Sequence, residues 1–247
     1  MTFRPCAVIP TFDNPATVRR VVEGVRRHVA NVIVVDDGSG EACRRAVDGI
    51  ERDGLARIER RSHNGGKGAA VKTGFAAAQR LGWSHVLQVD ADGQHDLDDV
   101  PRFLAEAQAH PDALILGYPI FDASRPRGRA FAHQISIFWV DVETGGRVIA
   151  DPQCGFRVYP LAQALAVGAG GDHMEFDQEL PVRMVWAGTP VRNLPTRVRY
   201  LSAAEGGVSH FDLWRDNARI SRLHTRLVIE AARRGLAAIA RPGSAVR

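Results

Sequence analysis

Asp90 and Asp92 stand two positions apart at the end of an apolar run, in the segment Val89-Asp90-Ala91-Asp92-Gly93-Gln94-His95. A strand ending in two such carboxylates can present both to one hard cation. Mg²⁺ or Mn²⁺ takes oxygen ligands of this kind and keeps other positions for phosphate and water. Held there, the cation would neutralise a departing pyrophosphate. The same residues also make a polar turn in which Asp92 caps the following segment.

Three more clusters carry a double reading. Val34-Val35-Asp36-Asp37-Gly38-Ser39 closes a second apolar run. A carboxylate there can hold a ribose hydroxyl or a base edge, or the stretch is a turn with Ser39 as a helix cap. Asn64-Gly65-Gly66-Lys67-Gly68-Ala69-Ala70 has small residues that admit a ligand to the backbone, at a helix start that attracts phosphate. It lacks the spacing of a Walker A loop, and Gly68 stands where that motif has Ser or Thr. Pro10-Thr11-Phe12-Asp13-Asn14-Pro15 offers Phe12 to stack on a base and Asp13 to contact it, while Asn14 before Pro15 also reads as a helix cap.

These clusters need elements to hold them. Apolar, β-branched runs at 6–10, 31–36, 56–59, 85–90 and 113–117 alternate with helical spacing at 18–29, around 46–50, at 69–81 and at 98–110. That alternation predicts an α/β fold, a mainly parallel sheet with helices on both faces, whose strand ends gather the polar clusters. Beyond 117 the spacing predicts helices over 130–149, 174–187 and 212–238, with strands over 156–159 and 197–201. One domain is expected, with a nucleotide-binding half (1–117), an acceptor-side half (118–211) and a C-terminal amphipathic helix (212–240).

The chain has 247 residues and a net charge of +4, and Lys67 and Lys72 are its only lysines, so positive charge is almost all arginine. Cys6, Cys43 and Cys154 show neither metal-ligand spacing nor a disulfide framework. The opening residues lack the apolar run of a signal peptide, and no stretch reaches the roughly 18 apolar residues of a membrane span. A cytoplasmic protein is expected, with any membrane contact made from the inner face.

Taken in order, PTFDN, VVDDGS, NGGKGAA and VDADGQH resemble the inverting family-two glycosyltransferases of GT-A (Rossmann-like) fold, in particular the polyprenyl-phosphate sugar transferases such as the dolichyl-phosphate mannose synthases. The likeness continues through Asp151-Pro152-Gln153-Cys154-Gly155-Phe156-Arg157-Val158-Tyr159 and Met174-Glu175-Phe176-Asp177-Gln178-Glu179-Leu180, and covers roughly residues 5–210. The resemblance implies that Pro10, Phe12, Asp13, Asp36, Asp37, Lys67 and Asp90 bind the nucleotide of a UDP- or GDP-sugar. It implies that Asp90, Asp92 and Gln94 hold Mg²⁺ or Mn²⁺ and diphosphate, and that Arg129, Arg157 and His210 face a lipid-phosphate or hydroxyl acceptor. Asp177 falls where many relatives carry a catalytic carboxylate. A hydroxyl acceptor would need it as general base, whereas a phosphate acceptor is already anionic. The sequence departs from the family pattern at Asn14, often acidic, and at His210, commonly lysine in lipid-phosphate members.

On the last helix Arg215, Arg219, Arg222, Arg226 and Arg233 fall on one side, and Leu213, Ile220, Leu223, Leu227 and Ala231 on the other. The basic side suits anionic headgroups or plain solvent. Arg125, Arg127 and Arg129 form a second basic patch. Two other readings stay open. A nucleotidyltransferase would show a Gly-rich basic loop after the first strand, which PTFDN is not. A basic module for nucleic acid or anionic surfaces would have no use for Asp90 and Asp92; no nucleic-acid partner is expected.

Overall fold

Continuous valine and isoleucine runs cannot alternate inward and outward, so they form strands buried on both faces. In the computed structural model, which describes residues 2–121, 127–199 and 213–239, these are β1 (Pro5–Thr11), β2 (Val32–Asp36) and β4 (His85–Gln88), with the shorter β3 (Arg57–Arg60) beside β2. The remaining strands are β5 (Leu114–Phe121), β6 (Arg157–Pro160) and β7 (Val191–Val198). They form one seven-stranded sheet in the order β3-β2-β1-β4-β6-β5-β7. The ladders are parallel except on either side of β6, which runs against both β4 and β5. The architecture is the mainly parallel α/β sheet expected.

Helices α1 (Val18–Arg26), α2 (Glu41–Arg52) and α4 (Val100–Ala109) supply Val21, Val22, Val47 and Phe103 to the core on one face. On the other face lie α3 (Lys67–Arg80), α5 (Arg127–Thr144), α6 (Leu161–Ala166), α7 (Phe176–Trp186) and α8 (Leu213–Ile239), with Phe75, Val140, Leu161, Leu180 and Leu223. Chain order reverses at β1, flanked by β2 and β4. Such a switch point opens a crevice beyond the carboxyl ends of the strands.

The second half departs from expectation. The strand anticipated over 197–201 instead begins at Val191 and ends at Val198. Its sequence, VRNLPTRV, lacks a clean alternation and contains Pro195. That proline is tolerated because β7 is the edge strand, its ladder made with β5, Tyr118 opposite Pro195, and its other side met only near Val198 by an isolated bridge from His95. Helix α6 was not anticipated, and α5 starts earlier and ends sooner than the predicted 130–149. Helix α8 buries Ile220, Leu223 and Leu227 against the protein, about 2 kcal/mol each by area. Its apolar side is therefore used inside the molecule.

Candidate active site

Each sequence cluster lands where a strand leaves the sheet. After β1, Asp13 adopts a left-handed backbone, φ 50°, and reaches across to the β2 loop. Its Oδ1 accepts the Gly40 N–H at 2.7 Å, and its own N–H donates to Ser39 Oγ at 3.1 Å. Thr17 Oγ1 donates to the Ala91 carbonyl at 2.6 Å, tying this loop to the Asp90–Asp92 turn. Pro10 is buried within β1 opposite Val35, and Phe12 is partly buried at its end.

Asp36 and Asp37 differ in what they do. Asp36 Oδ1 accepts the Ser39 N–H at 3.0 Å, which shapes the turn. Asp37, buried, accepts Arg61 Nε at 2.7 Å, Gly65 N–H at 3.0 Å and Gly66 N–H at 2.8 Å. It anchors the glycine-rich loop, each of its oxygens accepting at least one N–H from within the protein. Gly66 sits at φ 98° with His173 and the Asp172 carbonyl so close that a Cβ would collide. Asp172 O accepts the Ala69 N–H in the first turn of α3 at 2.8 Å. The 171–173 segment is held in turn by the buried Glu179, whose Oε2 accepts the Gly171 N–H at 2.7 Å.

The centre of the site is an ion cluster. Lys67, the first residue of α3, places Nζ 2.8 Å from both carboxylate oxygens of Asp90 and 2.7 Å from Asp177 Oδ2. Gln88 Nε2 donates to Asp177 Oδ1 at 3.2 Å. Residues far apart in sequence, at the ends of β4, α3 and α7, thus meet at one point where Asp177 is buried and Lys67 and Asp90 are partly buried. Gly155 lies against it: a Cβ there would stand 2.3 Å from Asp90 Oδ2. His95 Nε2 lies 3.9 Å from the same oxygen.

Electrostatics separate the two aspartates. Burial alone would lower the Lys67 pKa, but the Asp177 and Asp90 charges outweigh it and hold the ammonium well above the usual lysine range. Burial likewise opposes ionisation of Asp90, yet Lys67 and then His95 keep it below the usual carboxylate range. Asp92 is shifted the other way, upward, by burial and then by the neighbouring Asp90 charge. Asp90 is already neutralised by the protein; Asp92 is an acid in want of a cation.

Asp92 Oδ1 accepts the Gln94 N–H at 3.0 Å, and the Gln94 carbonyl accepts the Arg199 N–H at 3.0 Å, so the backbone of Gln94 fixes the turn. Among the described residues no group of three or more His, Cys, Asp or Glu is arranged to hold a metal.

Arg157 does not face an acceptor, contrary to expectation. It is fully buried, and four of its five N–H donors go to the carbonyls of Cys154 (2.5 Å), Pro152 (2.8 Å) and Asp177 (2.5 Å) and to Tyr159 Oη (3.2 Å). It stitches the 152–157 loop to α7 and so positions Gly155 and Asp177. Arg129 belongs to α5, but its side chain lies outside the described residues, as do Arg125 and His210. Asp151, at the head of that loop, accepts the Gln153 and Cys154 N–H groups and lies 2.6 Å from His133 Nε2. Sequence reasoning passed over Arg61, Gln88, Gly155 and Glu179. Only Gly155, inside the quoted DPQCGFRVY stretch, gave a local signal, since a glycine before a buried strand marks close approach.

The family described as Glycosyl transferase family 2 matches residues 6–159, the stretch from β1 through β6. A UDP-N-acetylglucosamine–dolichyl-phosphate N-acetylglucosaminyltransferase of Methanococcus voltae is 22% identical over 169 residues, 62% of this chain and 67% of that protein. A polyprenol monophosphomannose synthase of Mycolicibacterium smegmatis is 30% identical over 118 residues, 46% of this chain and 44% of that one. Glucosyl-3-phosphoglycerate synthase from Mycobacterium tuberculosis, solved with Mn²⁺, UDP and phosphoglyceric acid, has a similar fold, with TM-score 0.70 and 15% identity over 92% of this chain and 78% of that chain. With the carboxylate pair, the glycine-rich loop and the strand-end crevice all lying inside the matched stretch, the chain belongs to glycosyl transferase family 2.

Proposed function

We propose that this glycosyltransferase moves a sugar from a UDP- or GDP-sugar, with inversion at the anomeric carbon, to a phosphate group carried by a lipid. The observation that carries the donor side is the Lys67–Asp90–Asp177 cluster beside the unneutralised Asp92, at the switch point of the sheet. Phe12, Asp13 and Asp36 border the nucleotide. The α3 N-terminus and Lys67 face its diphosphate. Asp92, with Asp90 beside it, would hold Mg²⁺ or Mn²⁺, which when bound supplies positive charge to the leaving diphosphate.

The acceptor reading follows from Asp177. Both its oxygens are engaged, by Lys67 and by Gln88, and the side chain is buried. A general base must lie within hydrogen-bond reach of the substrate's proton, and here Asp177 directs its two oxygens to Lys67 and Gln88. A phosphate acceptor brings its own negative charge and leaves Asp177 to hold Lys67 in place. This favours a phosphate over a hydroxyl. The relatives named for dolichyl-phosphate and polyprenol transfer support the same choice.

The test is a thermal-shift panel of UDP- and GDP-sugars with and without Mn²⁺. A sugar nucleotide at a hundredfold excess over its Kd stabilises the folded state by about 2.7 kcal/mol, a readily visible rise in midpoint. Asp92→Asn should abolish the metal-dependent part of that rise and the transfer of sugar to a polyprenyl phosphate. No rise with any donor in the presence of Mn²⁺ overturns the proposal.

A further inference from the structure

Helix α5 is amphipathic in the wrong sense for a helix serving only the core. Val140, Ser136 and Glu143 are buried, yet Ile135, Phe138, Trp139 and Val142 are exposed. Those four positions, i, i+3, i+4 and i+7, form one continuous stripe along the outer face. Phe138 is 59% exposed and stacks edge-on with Trp139, ring centroids 5.3 Å apart. Single exposed apolar residues need no explanation, but an ordered stripe does.

The stripe continues onto α8. His224 of α8 meets Glu143 at 2.7 Å and lies parallel to Trp139, so this side of α8 abuts α5. Turning outward from His224 around the helix, Trp214, 89% exposed, and Ile229 come next. Beyond them runs a row of exposed arginines, Arg215, Arg222, Arg226 and Arg233. Arg226 pairs with the buried Glu179, while Arg222 and Arg233 have no ion pair among the described residues. Helix α8 carries six arginines against two acids.

We infer that the outer faces of α5 and α8 form one docking surface for an anionic lipid headgroup layer. The aromatic and aliphatic stripe enters the interface, and the arginine row lies over the headgroups. The occupant follows from the charge. A second copy of the chain would bring the two arginine rows together, which like-charge repulsion opposes. An anionic bilayer complements them. No helix among the described residues is long and apolar enough to cross a membrane, and the apolar side of α8 is spent on the core, so the apolar contribution comes from α5 and Trp214. The inference deepens the lipid-phosphate reading and rests on it for the acceptor: α5 also carries His133, bonded to the acceptor-side Asp151, so docking here presents that side of the site to the membrane.

Vesicle flotation tests it without needing turnover. The intact protein should float with phosphatidylcholine vesicles containing phosphatidylglycerol, less so in high salt, and scarcely with phosphatidylcholine alone. Phe138→Asp with Val142→Asp should weaken binding at least roughly tenfold. Arg222→Glu with Arg233→Glu should weaken it by roughly fivefold for each arginine lost. All substituted positions are exposed, and an unchanged melting midpoint and donor-induced thermal shift would show that the fold and nucleotide site persist. Absence of flotation, flotation untouched by either double variant, or a dimer in sedimentation that Phe138→Asp dissolves would overturn the inference while leaving the sugar-transfer reading to its own test.

Discussion

At the scale of single residues, the site is a problem of buried charge. Three groups, Lys67, Asp90 and Asp177, neutralise one another in a partly buried cluster, and removing one leaves the others uncompensated. Gly155 makes the arrangement possible, because any side chain there would enter the space of the Asp90 carboxylate. Lys67 restrains Asp90, hydrogen-bonded to one oxygen and in ion-pair contact with the other. Gly155→Ala should therefore cost about 1–3 kcal/mol in urea denaturation, the range for forcing atoms into a filled core. It should lower kcat/KM by up to roughly a hundredfold, the cost of a misplacement of about 1 Å. A variant of normal stability and activity would show that Asp90 has room the geometry does not provide. The sequence displayed the acids openly, because strand-end carboxylates stand out against apolar runs. It hid the partners. Gln88 reads as one polar residue inside a strand, Arg61 as one arginine among many, and Arg157 as a ligand when its burial makes it a brace. Long-range pairing leaves no local pattern.

At the scale of elements, α5 and α8 are joined by a buried acid–imidazole contact. Glu143 Oε1 lies 2.7 Å from His224 Nδ1, and the other oxygen of Glu143 has no hydrogen-bond partner. Burial raises the Glu143 pKa above its ordinary 4.5, with the His224 hydrogen bond and charge opposing but not cancelling the shift. A carboxyl whose folded pKa is raised favours the folded state while protonated, and that contribution is lost as pH climbs through the folded value. Glu143→Gln keeps an acceptor for His224 and removes the titration. Chemical denaturation from pH 4.5 upward should therefore show the variant gaining stability relative to the parent as pH rises. A constant difference across that range would mean that Glu143 is not desolvated as α8 docks. Neither partner was legible beforehand, since the expected helices gave no register between them. Helix α8 itself was legible, because its leucines recur at helical spacing and are found buried.

At the scale of the whole molecule, the sequence read well where strands and helices alternate and poorly where they do not. From β1 to β4 each buried strand is a run of branched residues, and hydrophobic pattern alone locates it. After Gly117 the strands are edge-like or reversed, and β6 gains its place only by inserting between β4 and β5. That insertion bears on how the chain holds together. The sequence marks 117 as the end of a nucleotide-binding half within one expected domain, and the sheet runs unbroken across that point. His85, Val86, Leu87 and Gln88 pair along their free side with Pro160, Tyr159, Val158 and Arg157. A fragment ending at Gly117 would leave β4 with an open edge, strip Asp90 of Gly155 and Lys67 of Asp177, and uncover core that Leu180 and Tyr159 seal. Such a fragment should lack the near-ultraviolet circular dichroism of a packed interior and aggregate. The intact chain should unfold with coincident transitions by fluorescence and far-ultraviolet dichroism, as one cooperative unit does. A soluble fragment with a sharp transition that still binds a sugar nucleotide would show instead that the donor site folds without the strand that completes its sheet.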